Sequence, residues 1–213
     1  TGAMMAAVDE FDIIVKGKGG HAAIPDLAID PVIISAQIII AIQTIISRVT
    51  SPIDKAVISV TKVNAGSAYN VIGDEVYLGG TVRTFKKDTR ALIEKKLFDT
   101  AKGIANANGG DIDFTYIPGY PPTVNTKNES IFAGNVAKNL VGAENVIDEI
   151  DPSMGGEDFA YFLNEKPGSY LYIGQQDKNH NSHLHTTSYD FNDDLLPIGA
   201  NFWVELVNKF FQK

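Results

Sequence analysis

"DEFDIIVKGKGGHAAIPDLAIDPV", residues 9–32, contains the turning point of the chain: a β-branched run ends in glycines and a histidine, and a proline-led apolar stretch follows. Residues 9–18 read as a strand. Asp30-Pro31 reads as a helix start, because Asp can cap free N–H groups and Pro suits the first turn, and the helix extends to about Val49. Farther on, AVISVTKVNAG (56–66) alternates apolar with polar residues and EVYLGGTVRTF (75–85) is β-branched and aromatic. Both read as strands, joined by a turn through Asn70 to Asp74. A second helix opens at Lys87-Asp88-Thr89, carries Leu92, Ile93, Leu97, Phe98, Ala101 and Ile104 at helical spacing, and stops at Asn108-Gly109-Gly110. DIDFTYIPGY (111–120) adds a strand, so the order is β-α-β-β-α-β, the ferredoxin-like unit.

Pro118, Pro121 and Pro122 break the chain, and a different pattern follows. It reads as a helix over 129–141, a short strand at 145–147, a helical turn at 157–163, a strand at SYLYIGQQ (169–176) and a helix over 195–211. The last helix carries Ile198, Phe202, Leu206 and Phe210 along one face. These are few strands for a separate sheet, so this part reads as the end of a larger α/β domain. The expected division is a linker at 1–8, a ferredoxin-like domain at 9–118 and an α/β segment at 119–213.

A net charge of −8 argues against a nucleic-acid partner, since such proteins present clustered Lys and Arg to a polyanion. The absence of cysteine removes disulfides and thiolate metal sites and suits the cytoplasm, which is the expected location. The opening TGAMMAAVDEF lacks a basic n-region, so no signal peptide is expected. The apolar run 31–49 is interrupted by Gln37, Gln43, Thr44 and Ser47, and it reads as a soluble, buried helix with no role in a membrane. Beginning with Thr-Gly, the chain reads as part of something longer.

GKGGHA fits the G-x-G-x-x-A variant of the dinucleotide fingerprint, but no helix opens directly behind it to meet a pyrophosphate. His21 is then either a solvated loop histidine or a donor to a developing oxyanion. His180, His183 and His185 cluster in NHNSHLHTTSYDF, where the spacing of His183 and His185 suits a divalent metal or a solvated loop equally. MGGEDF (154–159) offers acids that could serve a metal or base site, or cap the helix that follows. Arg83 could fork onto a substrate carboxylate or stand as a surface arginine on a strand.

Taken in order, FDIIVKGKGGHAAIPDLAIDPV (11–32), AYNVIGDEVYLGGTVRTF (68–85), MGGEDFAYFL (154–163) and LHTTSYDFNDDLLPIGA (184–200) resemble the aminoacylase and carboxypeptidase-like dinuclear metallopeptidase family. The resemblance is to its amidohydrolase branch, which includes hippurate hydrolases, N-acetyldiaminopimelate deacetylases and auxin-conjugate hydrolases. It implies a ferredoxin-like lid that also dimerises, followed by the C-terminal segment of an α/β metallopeptidase-type catalytic domain. The implied activity is metal-dependent cleavage of N-acyl amino acids, with carboxypeptidase or dipeptidase action, or a non-catalytic dimerisation module, as alternatives.

By resemblance, His21 is the lid histidine that stabilises the oxyanion in a partner's site. Asn70, Arg83 and Gly155 bind substrate, and His185 is a metal ligand; Met154 and Gly156 flank the pocket, while Glu157 and Asp158 support it. The complete enzyme would hold two divalent ions, Zn, Mn or Co. The family's Cys-Gly-His-Asp-Gly-His segment and Glu-Glu pair do not occur here, so this chain is expected to lack half of the site, to hold no metal tightly and to be inactive alone. Expected partners are an N-acyl amino acid or small peptide and a second copy of the chain.

Overall fold

In Ala7–Lys16 every second residue, Phe11, Ile13 and Val15 among them, is buried, while Glu10 and Lys16 stay exposed. One face of this strand is therefore committed to a core. The computed structural model describes residues 1–212. In chain order its elements are β1 (Gly2–Met5), β2 (Ala7–Lys16), β3 (Gly20–His21), α1 (Pro31–Thr44), β4 (Ala56–Ala65), β5 (Val71–Ile72) and β6 (Glu75–Thr84). They continue as α2 (Lys87–Ala107), β7 (Asp111–Pro118), β8 (Thr123–Asn125), α3 (Lys127–Val141), α4 (Ala160–Glu165) and α5 (Leu195–Phe211).

The chain divides into two compact units: Met5–Thr123 with Pro152–Tyr161, and Thr1–Met4 with Val124–Asp151 and the chain from Phe162 on. The first contains a four-stranded sheet in the order β4-β6-β2-β7. All its neighbours are antiparallel, so the β-α-β-β-α-β order closes into the ferredoxin-like topology. Helices α1 and α2 supply Ile34, Ile38, Ile42, Ile93, Leu97 and Ala101 to one core with the inward residues of the strands. Asp30 caps α1 by accepting from the N–H groups of Val32 at 2.8 Å and Ile33 at 3.4 Å, and Pro31 leads the first turn. Past Thr44 the helix widens into a π-type turn, Ile45–Val49. Residues 31–49 are long and apolar enough to cross a membrane by composition; here α1 lays Ile34, Ile38 and Ile42 into the core and exposes Ile33 and Ile40.

In the second unit α3 packs with α5, and the rings of Phe132 and Phe210 meet edge to face at 6.3 Å. Two expected strands do not form. Residues 143–145 make a 3-10 turn after Gly142 (φ +89°), in place of a strand at 145–147. Residues 169–176, an aromatic and aliphatic run expected as a strand, join no ladder among the described residues. Tyr170 is held instead by the side chain of Asn125, with Asn125 Nδ2 donating to Tyr170 O and Tyr170 N donating to Asn125 Oδ1, both at 2.8 Å. The last helix forms over the expected span, but none of its residues is buried, and Trp203, Val204 and Val207 are exposed besides the expected face.

Candidate functional site

His21 ends the short strand β3, which pairs antiparallel with β5 as Gly20 opposite Ile72 and His21 opposite Val71. The ribbon is fastened at its base by Asp74: Gly17 N–H donates to its carbonyl and Gly19 N–H to its Oδ1, each at 2.8 Å. Ala22 N–H donates to Asn70 O at 3.1 Å, so the His21 and Asn70 segments lie side by side. A Cβ at Gly19 would stand 2.8 Å from Ile72 O and 2.9 Å from Asp74 Oδ1. The glycine therefore permits close approach of two backbones, and the atoms that crowd it are those of β5 and Asp74. His21 is exposed, and its Nδ1 accepts from Ala23 N–H at 3.0 Å. An accepting Nδ1 leaves the proton of the neutral ring on Nε2, so the outer nitrogen is a donor.

Arg83 occupies the far part of β6, opposite Val8 of β2 and Val57 of β4. Buried Val82 and Thr84 point to the helix side, so Arg83 and Thr81 share the helix-free face of the sheet. Arg83 Nη1 donates to Thr81 Oγ1 and to Val82 O, the latter at 3.1 Å. Its Nε and Nη2 donate to no described group, and no described carboxylate forms an ion pair with it. The MGGEDF loop lies at this end of the sheet: Ala6 N–H donates to Ser153 O at 3.0 Å and to Gly155 O at 2.9 Å. Gly156 fits against Val8, where a side chain would collide with the valine.

Beneath Arg83 is a buried carboxylate that sequence reading passed over. Asp9 is fully buried and accepts from Arg90 Nε at 2.7 Å, Arg90 Nη2, Tyr116 Oη at 2.7 Å and Gly119 N at 3.0 Å. Burial, then the hydrogen bond to Asp9, push the Tyr116 phenol well above its ordinary pKa; the bond to Asp9 raises that of Arg90. Because its oxygens are fully engaged, this charge braces β2, α2 and the end of β7. Asp9 shares the inward parity of Phe11 and Ile13, which was the available signal.

His180, His183 and His185 lie in a loop whose ends are tied together. Asn192 Nδ2 donates to Gln175 O and to Asp177 Oδ2, each at 3.3 Å, and Tyr189 Oη donates to Gln175 Oε1 at 3.2 Å. Asp177 Oδ1 accepts from the backbone N–H of Asn179 and of His180 at 2.7 Å, and lies 3.0 Å from His180 Nδ1. Backbone donation from His180 followed by its ring lowers the pKa of Asp177. His185 is exposed and has φ +62°, the one non-glycine residue with positive φ among the described residues. A concavity of about 570 Å³ opens beside the loop, walled by Ile173, Leu184, Phe191 and Leu195 with His180 and His183 at its polar side. Within the first unit, then, the His21 and Asn70 segments lie side by side beyond one end of β6, while Arg83 lies toward its other end, paired with Val8, against which Gly156 of the MGGEDF loop packs.

The profile of Peptidase family M20/M25/M40 matches residues 3–209. The chain belongs to this family. Its M20 relatives fall in the amidohydrolase branch: N-acetylcysteine deacetylase of Bacillus subtilis is 37% identical, aligned over 96% of this chain and 52% of its own length. Hippurate hydrolase of Campylobacter jejuni is 37% identical over 98% of this chain and 54% of its own. The crystal structure of the YXEP protein of Bacillus subtilis, a dinuclear metal binding peptidase of family M20, superposes with a TM-score of 0.74 at 30% identity, covering 96% of this chain and 50% of that one. The chain thus spans about half the length of the curated relatives it matches, in an α/β fold common to M20 structures. Its own residues do not fit a dinuclear centre: no three His, Asp or Glu side chains among the described residues are close enough to hold a metal ion.

Proposed function

We propose that this chain is the lid and the C-terminal part of a metal-dependent amidohydrolase that cleaves the amide bond of N-acyl amino acids. The unit built on the four-stranded sheet is the lid, through which two copies dimerise, and the second unit is part of the catalytic domain. Arg83 binds the free carboxylate of the substrate through Nε and Nη2, beside the backbone of Gly155. His21 donates from Nε2 to the amide oxygen as negative charge gathers there, and Asn70 lines the same edge. His185 is one metal ligand; the remaining ligands and the base belong to residues outside this sequence.

One observation carries the reading: a half-buried arginine on an open sheet face keeps its two-nitrogen edge clear of every described carboxylate. A buried or half-buried guanidinium is normally engaged, so an open fork suits a ligand of matching geometry. N-acetylated and benzoylated amino acids, as named for the relatives, have one. The test is hydrolysis by the complete protein, supplied with Zn²⁺, Mn²⁺ or Co²⁺, of acetyl-, benzoyl- and indoleacetyl-amino acids and of dipeptides. Release of free amino acid from the acyl series is expected. Cleavage of dipeptides alone would make it a peptidase, and no cleavage at all would remove the enzymatic reading.

A further inference from the structure

Arg83 is held on one side only, and the residue that holds it has its own orientation fixed from below. Thr81 Oγ1 donates to Asp9 O at 2.8 Å. With its single proton committed there, the hydroxyl can only accept from Arg83, and Nη1 is the donor it receives. Asp9 in turn cannot yield, since its carboxylate is locked by Arg90, Tyr116 and Gly119 within the core. Val82 O takes a second bond from Nη1 at 3.1 Å. The guanidinium is thus anchored through one nitrogen while the Nε–Nη2 edge points away from its anchors. Arg90 shows what that edge does when a carboxylate is present: its Nε and Nη2 grip the two oxygens of Asp9.

We propose that Thr81 is a positioning residue for substrate selection: its hydroxyl fixes the guanidinium of Arg83 before the substrate arrives, and so selects substrates with a free carboxylate over their carboxamides. The proposal rests on the reading of Arg83 given above. A free arginine side chain would lose rotamer freedom on binding; one already fixed loses little, so the gain falls on ligands that can accept two parallel N–H bonds. A carboxamide offers one accepting oxygen and an NH₂ that faces the second donor, so at most one of the two bonds forms and it gains less from the fixed fork.

The test compares KM and kcat of the complete protein for an N-acyl amino acid and for its carboxamide in wild type, Thr81→Val, Thr81→Ala, Thr81→Ser and Arg83→Ala, with the thermal midpoint of each. Thr81→Val and Thr81→Ala are expected to raise KM for the acid by about tenfold, the size of one lost hydrogen bond to a charged group, with kcat within about twofold and a change of no more than about threefold in KM for the carboxamide. Thr81→Ser, which keeps the hydroxyl, is expected within about twofold of wild type. Two different replacements of the hydroxyl keep a packing defect in one from deciding the matter. Equal losses on acid and carboxamide, or an unchanged KM in both hydroxyl-free variants while Arg83→Ala still raises it, would overturn the role of Thr81 alone. If Arg83→Ala leaves the preference for the acid intact, the reading of Arg83 falls, and Thr81 with it.

Discussion

His21 and Arg83 belong to one compact unit but lie far apart along it: Arg83 is eight residues (75 to 83) up β6 from Glu75, and His21 pairs with Val71 on the other side of that glutamate. At about 3.3 Å per residue the stretch of β6 alone is ~26 Å. A single N-acyl amino acid cannot touch both in one copy. If both serve the same ligand, each must come from a different copy, which is how a two-fold dimer would assemble two composite sites.

That separation predicts complementation. In the complete protein, His21→Ala and Arg83→Ala should each be nearly inactive. Mixed, dissociated and reassociated, they should recover about a quarter of wild-type turnover, because half of the dimers are hybrid and each hybrid contains one intact site. Recovery is read as deacylation rate against mixing ratio. A mixture no more active than its components would mean that the two residues do not share a site across copies.

The left-handed backbone at His185 predicts an inverted ranking of small replacements. Here φ is +62°, a region that disfavours any residue with a Cβ. His185→Gly should be more stable to urea than His185→Ala by about 1 kcal/mol, the reverse of the order in a helix. An alanine variant as stable as the glycine variant would show that the loop does not keep this conformation in solution.

The brace on Asp9 predicts a loss of stability in alkali. Tyr116 is held protonated by burial and by its bond to Asp9, so its folded pKa is above that of the unfolded chain, about 10. Above that pH the unfolded state binds fewer protons than the folded state, and stability falls as pH rises; at lower pH the contribution is complete. Urea midpoints measured from about pH 8 to 11 should decline in wild type and decline less in Tyr116→Phe. At neutral pH the Phe variant should be weaker by about 1 kcal/mol, the typical worth of one buried hydrogen bond. A slope unchanged by the substitution would exclude Tyr116 as its source.

Much of the first unit is legible in the sequence because its elements repeat over many residues. The alternation in β4 and β7, the β-branched and aromatic runs of β2 and β6 and the helical spacing of Ile93, Leu97 and Ala101 place those elements within a residue or two of their observed ends. The ribbon that presents His21 is not legible this way. Strands of two residues, Gly20–His21 and Val71–Ile72, are too short for any period to register. What defines them is the approach of Gly17 and Gly19 to Asp74, more than fifty residues away in sequence.

The opposite error occurs at residues 169–176, where a strand-forming aromatic and aliphatic run is present but no neighbouring strand pairs with it among the described residues; a strand is a property of two segments, and composition reports on one. The partner of Asp9 is hidden for a third reason. The inward parity of Asp9 can be counted along β2, but nothing local points to Arg90, 81 positions later.

Because successive residues of a strand face opposite sides, β6 acts as a ruler graduated in pairs. Two residues added within β6 before Arg83 would lengthen the distance between His21 and Arg83 in one copy by about 7 Å and leave Arg83 on the open face; one added residue would turn it into the helical core. Among relatives that use the same arrangement, length changes within this strand should therefore come in even steps or as bulges.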